Sequence, residues 1–129
     1  MVETGTTPGE ALAPHVLIAD DDLAIRKMLR SALEAVGYRI TVAGSTEEAL
    51  PVLEQSCPDV LIADLVMPGL SGDELARRCH EMCPSTILIF MSGFPPDQLR
   101  TLGVTQVVYL NKPISIAELR ALLKQLLGR

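Results

Sequence analysis

The stretch "VLIADDD", Val16–Asp22, sets four apolar residues directly against three consecutive carboxylates. A short, β-branched apolar run without alternation is the signature of a strand buried on both faces, and that points to a parallel sheet. The carboxylates need a separate explanation. Two unit charges about 4 Å apart repel by roughly 1 kcal/mol in water and by several times that near a protein surface. Asp20, Asp21 and Asp22 must therefore either splay into solvent or gather around something cationic.

Working outward, similar runs recur at "HVLIA" 15–19, "RITVA" 39–43, "DVLIA" 59–63, "TILIFM" 86–91 and "QVVYL" 106–110, which predicts five strands. Between the first two, Ile25, Leu29, Ala32, Leu33 and Val36 repeat at helical spacing, Arg26, Lys27, Arg30 and Glu34 take other faces, and Gly37 supplies a stop. Ser45 with Glu48 forms a capping box for a second helix, and Leu75, Cys79 and Met82 mark a third that ends before Pro84. Ser115 with Glu118 repeats the capping box ahead of Leu119, Leu122, Leu123 and Leu126. Strands alternating with helices predict an α/β domain, a doubly wound five-stranded parallel sheet with right-handed crossovers. "RITVA" alternates and suits an edge.

The chain's 129 residues and 48% hydrophobic content fit one domain with one core, which we place at 15–129 behind a Thr/Gly/Glu/Pro-rich tail or linker at 1–14. A net charge of -5 and 3% aromatic residues leave neither a basic surface nor stacking platforms, so direct nucleic-acid binding is not expected. No stretch has the length of a membrane span and the N-terminus lacks signal-peptide character, so a cytoplasmic protein without direct membrane contact is expected. The odd cysteine count predicts that Cys57, Cys79 and Cys83 are reduced core thiols; His80 lies at the wrong helical angle to complete a metal site with them.

In an open parallel sheet, ligands bind beyond the carboxyl ends of the strands, where the winding reverses. Asp20, Asp21 and Asp22 follow the first strand, Asp64 the third, Ser92 the fourth and Lys112 the fifth. Each alone is an ordinary turn or cap residue; together they bring carboxylates, a hydroxyl and an ammonium to one edge. Clustered carboxylate oxygens suit a hard cation such as Mg²⁺, which typically takes one or two carboxylates plus phosphate oxygens. On this reading Asp20 and Asp21 share a divalent ion while Asp22 turns outward as the N-cap of the first helix.

With these residues in place, "VLIADDD", "PDVLIADLVMPGLSGDEL", "MSG" and "NKP" resemble, from His15 to Leu127, the receiver domain of two-component response regulators. The resemblance implies the flavodoxin-like, CheY-like fold with strand order 2-1-3-4-5. It implies that Asp64 accepts a phosphoryl group from a histidine kinase or histidine phosphotransfer protein, making the domain a self-phosphorylating signalling module rather than a turnover enzyme. Mg²⁺ would be held directly by Asp21, mostly through water by Asp20, and by Asp64 and the carbonyl of Val66. Lys112 would pair with a phosphoryl oxygen, Ser92 would supply the family's hydroxyl, and the Lys112–Pro113 peptide would be cis. Tyr109 would be the ring that changes rotamer when the Ser92 loop moves.

Some features depart from the family. Leu23 stands where Pro is frequent and Ile114 where an aromatic commonly follows the Lys-Pro pair. The segment between Ser92 and Lys112 is short, and Pro95-Pro96 and Gly103 leave about two turns, so a short or irregular fourth helix is expected there. "FMSGF" resembles receivers of hybrid histidine kinases, and the end at "LLGR" suggests that no output domain follows. Leu119, Leu123 and Leu127 read first as core packing, with an apolar stripe for a homodimer as the alternative.

Three other readings compete. A Mg²⁺-dependent phosphohydrolase with an aspartyl-phosphate intermediate would want a second Asp at position 66, where Val stands. Flavin binding would want a phosphate-cradling loop where the three Asp residues sit. An interaction module with an inactive site conflicts with the complete set of reacting groups.

Overall fold

The computed structural model describes residues 13–67, 69, 72–92 and 107–128. Their order is β1 His15–Ala19, α1 Leu23–Glu34, β2 Arg39–Ala43, α2 Thr46–Gln55, β3 Val60–Asp64, α3 Gly72–Met82, β4 Ile87–Ser92, β5 Val107–Asn111 and α4 Ile116–Leu127. All strand pairs are parallel and the sheet order is β2-β1-β3-β4-β5. The short or irregular helix expected between Ser92 and Lys112 lies outside the described residues.

Strand alternation builds two cores. Leu17, Leu61, Leu88 and Phe90 point to one face and pack under Ala49 and Leu53 of α2 and Leu75 and Cys79 of α3. Val16, Ile18, Ile62, Ile89 and Met91 point to the other, under Leu29 and Leu33 of α1 and Leu119 and Leu123 of α4. Because β1, β3 and β4 are covered on both faces, every position in their centres is apolar, and each large side chain so buried contributes about 1.5–3 kcal/mol. Leu119 and Leu123 are fully buried here, so they serve the core and not a dimer face.

Local chemistry sets the helix ends. Asp22 caps α1, its Oδ1 accepting from the N–H groups of Ala24 and Ile25 at 2.8 and 3.4 Å. Ser45 caps α2 by accepting from Glu48 N–H at 3.1 Å, while Glu48 Oε1 reaches one residue beyond the usual capping box to Gly44 N–H at 2.7 Å. Pro51 lies inside α2 without ending it. Ahead of β1, Ala13 and Pro14 are tied to β2: Arg39 donates from Nε to the Ala13 carbonyl and from its backbone N–H to that of Pro14.

The cysteines correct the expectation of three thiols. Cys57 and Cys83 form a disulfide with Cα atoms 5.6 Å apart, and only Cys79 is free, buried, its thiol pushed up to about 11 by burial. The reason is topological. α3 runs back against the strand direction, so its C-terminal end returns to the amino edge of the sheet, where Cys57 leads into β3. The one-turn spacing of Cys79 and Cys83 is visible in sequence; the proximity of the exposed Cys57 is not.

Candidate functional site

Two strand ends deliver the acidic groups. Oxygens of Asp20, Asp21 and Asp64 lie within 4.8 Å of one another, just beyond the carboxyl ends of β1 and β3. Asp20 is fully buried and Asp64 nearly so, whereas Asp21 faces solvent. Asp22 stands apart, turned outward as the cap of α1, as its position predicts.

Lys112 closes the cluster from the end of β5. Its Nζ donates to Asp64 Oδ2 at 2.6 Å and lies 3.8 Å from Asp20 Oδ2. Burial works against its charge, but the hydrogen bond to Asp64 and the fields of Asp64, Asp20 and Asp21 outweigh it and hold the ammonium above its ordinary pKa. Lys112 is therefore a fixed cation near neutral pH. For Asp20 the balance runs the other way: burial, and after it the neighbouring carboxylates, raise its pKa despite a hydrogen bond from Asp22 N–H and the field of Lys112.

The backbone around Asp64 is as constrained as its side chain. Asp64 Oδ1 accepts from Val66 N–H at 3.0 Å, and the Val66 side chain is 60% exposed beside it. Gly72 packs on the acceptor strand so closely that a Cβ there would sit 2.4 Å from the Asp64 carbonyl oxygen, inside any tolerated contact. Ser92 is buried at the end of β4, and its carbonyl accepts from Lys112 N–H at 3.3 Å, so hydroxyl and ammonium share one scaffold. The Lys112–Pro113 peptide is cis. Tyr109 lies half-buried on β5, its ring centroid 6.2 Å from that of Phe90.

The arrangement thus brings together Asp20, Asp21, Asp64 and Lys112, with Val66 and Ser92 on the adjoining backbone. It also contains a residue that sequence reasoning left on another face of the first helix. Arg26 turns back from α1, and its Nη1 donates to the Asp20 carbonyl at 2.7 Å. Its signal in the sequence is only its place in the first turns of the helix behind the acidic run.

The donor set fits a hard divalent cation. Asp20 Oδ1 is used by Asp22 N–H at 2.8 Å, but Oδ2 is buried without a hydrogen bond, an arrangement that costs about 1–3 kcal/mol unless a ligand completes it. Among the described residues the grouped ligand atoms are all carboxylate oxygens, which favours a hard over a soft metal. Beside it, Ile25, Met28, Lys112, Pro113 and Ile114 line a shallow, largely apolar groove of about 490 Å³. No helix among the described residues is long and apolar enough to cross a membrane.

Comparison with known proteins agrees with this geometry. The family model for the response regulator receiver domain matches residues 16–124. The phosphate regulon transcriptional regulatory protein PhoB of Pseudomonas aeruginosa is 37% identical over 118 residues, 88% of this chain and 52% of that protein. The transcriptional regulatory protein TrcR of Mycobacterium tuberculosis is 34% identical over 117 residues, 89% of this chain and 46% of that one. The chain spans about half the length of the curated relatives it matches. Among solved structures, a response regulator receiver protein from Sinorhizobium medicae superposes with a TM-score of 0.82 at 26% identity, covering 92% of this chain and 97% of that one. The receiver domain of the hybrid histidine kinase CckA gives a TM-score of 0.76 at 32% identity, covering 88% and 98%.

Proposed function

The chain belongs to the response regulator receiver domain family, and from that premise we propose that it is a phosphoacceptor module whose Asp64 takes a phosphoryl group from a histidine kinase or histidine phosphotransfer protein. The observation that carries the reading is the pairing of the Lys112 ammonium with Asp64 Oδ2 at 2.6 Å beside two further carboxylates. An oxygen of Asp64 attacks phosphorus, the P–N bond to the donor imidazole breaks, and an acyl phosphate forms. Lys112 then pairs with a phosphoryl oxygen, and the Ser92 hydroxyl, one strand away, is the donor drawn toward it. Positioning and charge neutralisation suffice for the loose transition state of phosphoryl transfer.

Asp20, Asp21, Asp64 and the Val66 carbonyl would hold Mg²⁺, which supplies charge neutralisation at the transferring phosphoryl group. Asp20 contributes from a buried and fixed position, Asp21 from an exposed one. The apolar groove beside Lys112 offers a seat for the donor's helix within reach of Asp64. The module acts once per phosphoryl group and signals through conformation; Tyr109 and the Ser92 strand end are its moving parts. Its place is the cytoplasm, where such kinases present their phosphohistidine.

The test is the intact mass of the chain after incubation with Mg²⁺ and acetyl phosphate. One added phosphoryl group is expected, absent in Asp64→Asn and in the presence of a chelator. An adduct that persists in Asp64→Asn would overturn the assignment, and no adduct under any condition would favour an interaction module.

A further inference from the structure

The acidic turn is held by more than its own residues. Asp20 is anchored at three of its four polar groups: its N–H donates to the Ala43 carbonyl at 3.1 Å, its Oδ1 accepts from Asp22 N–H at 2.8 Å, and its carbonyl accepts from Arg26 Nη1 at 2.7 Å. The first two bonds come from the sheet and the turn themselves. The third is supplied by a side chain on α1, and that side chain is held in turn by β2's exit.

The holding element is Gly44. A Cβ at this position would lie 3.1 Å from Arg26 Nη1 and 3.3 Å from Glu48 Oε1, so the guanidinium and the carboxylate close over the bare glycine from two sides. Glu48 is itself fixed there, since its Oε1 accepts from Gly44 N–H at 2.7 Å and its own N–H is capped by Ser45. Arg26 is half-buried, and its guanidinium is fixed at one end by the hydrogen bond to the Asp20 carbonyl.

Resting on the metal reading given above, we propose that Arg26 is a positioning residue for the metal site. Seated over Gly44, it fixes the Asp20 carbonyl and thereby the direction of the one Asp20 oxygen left without a hydrogen bond. Groups that orient metal ligands from behind commonly set affinity by 10–100-fold.

The sign of the effect separates this role from a simple field effect. Arg26 is a cation placed beside a site for a cation, so if it acted only through its charge, removing it would tighten Mg²⁺ binding. As a positioning group, its removal weakens binding, because the released carbonyl lets the turn and the Asp20 carboxylate relax. Gly44→Ala sharpens the distinction further. It keeps every charge in the molecule but displaces the guanidinium from its seat, so a field effect predicts unchanged or tighter binding while positioning predicts weaker binding.

The experiment is calorimetric titration of Mg²⁺ into the whole chain, with melting temperatures recorded in chelator to confirm folding. Arg26→Ala is expected to weaken Mg²⁺ binding about tenfold, Gly44→Ala to weaken it by a smaller factor, and Arg26→Lys to recover part of the loss. Arg30→Ala, which removes an exposed cation of the same helix paired with Glu34, is the control and should bind as wild type does. If Arg26→Ala does not fold, Gly44→Ala and Arg26→Lys decide by the same criterion. Wild-type binding accompanied by unchanged or tighter binding in Arg26→Ala or in Gly44→Ala would overturn the inference alone. A wild-type chain that takes up no Mg²⁺ would overturn the metal reading and the inference with it.

Discussion

At the amino end of the central strands, Asp59 accepts from His15 N–H at 2.8 Å, donates its own N–H to the His15 carbonyl and receives Ile87 N–H on its carbonyl. Thr86 donates its hydroxyl to the Pro58 carbonyl at 2.6 Å, and the Cys57–Cys83 disulfide crosses the same edge. At the carboxyl end of the same strands, three carboxylates crowd one ammonium, and a fully buried oxygen of Asp20 has no hydrogen bond. One end is satisfied group by group and covalently closed; the other is left electrostatically incomplete. The difference separates what makes the domain stable from what lets it bind and react, and it assigns opposite signs to substitutions of satisfied groups and of the incomplete cluster.

The largest expected effect is at the stapled end. Opening the disulfide, by reductant or by Cys57→Ser with Cys83→Ala, frees a 26-residue separation in the unfolded chain and should lower stability by about 3 kcal/mol. Denaturant unfolding measures the loss. Mg²⁺ affinity should not move, and a coupled loss of affinity would break the division between the ends.

Next comes Asp20→Asn at the reactive end. Asn keeps an oxygen for Asp22 N–H but removes a buried charge, so the metal-free domain should gain about 1 kcal/mol while losing Mg²⁺ binding. Its neighbour Asp22 has the opposite sign. Asp22→Ala deletes the N-cap of α1 and should reduce stability by about 1 kcal/mol, read from the same unfolding curves. Three adjacent aspartates that all destabilised on substitution would contradict the comparison.

The smallest effect is a pH dependence at the amino end. His15 is half-buried, its Nε2 2.7 Å from Thr41 Oγ1, and burial followed by the Arg39 charge lowers its pKa below 6.5, with Asp59 acting weakly the other way. A lowered folded pKa means that the folded state prefers the neutral ring. Its contribution is complete above the ordinary value of 6.5 and is lost as pH falls through the folded value. Urea midpoints should therefore decline on acidification in this window, and His15→Asn should flatten that part of the slope.

The ease of reading these features from sequence follows the same division. The sheet was legible because strands buried on both faces must be continuously apolar, as "VLIA" and "ILIFM" are, and the edge strand "RITVA" alternates for the complementary reason. The reactive end was legible because strand termini converge there: Asp20, Asp21, Asp64, Ser92 and Lys112 follow from counting to the end of each strand. The caps at Asp22, Ser45 and Ser115 were legible because capping is local.

What sequence did not disclose depends on side chains meeting across the fold. Cys57 reaches Cys83 only because α3 returns to the amino edge. Arg26 reads as one more cation on an amphipathic helix until its guanidinium is seen over Gly44. Leu119 and Leu123 read first as core with a surface stripe as the alternative, and their complete burial decides for the core.

The claim that the carboxyl end is an incomplete cation site is tested most directly by the melting temperature of the wild-type chain in chelator and in saturating Mg²⁺, with ionic strength matched by a monovalent salt. Binding at about a hundredfold excess over the dissociation constant adds about 2.7 kcal/mol, so a rise of about 5–10 °C is predicted, absent in Asp20→Asn and retained when the disulfide is opened. No rise beyond the salt control, or the same rise in Asp20→Asn, would contradict it.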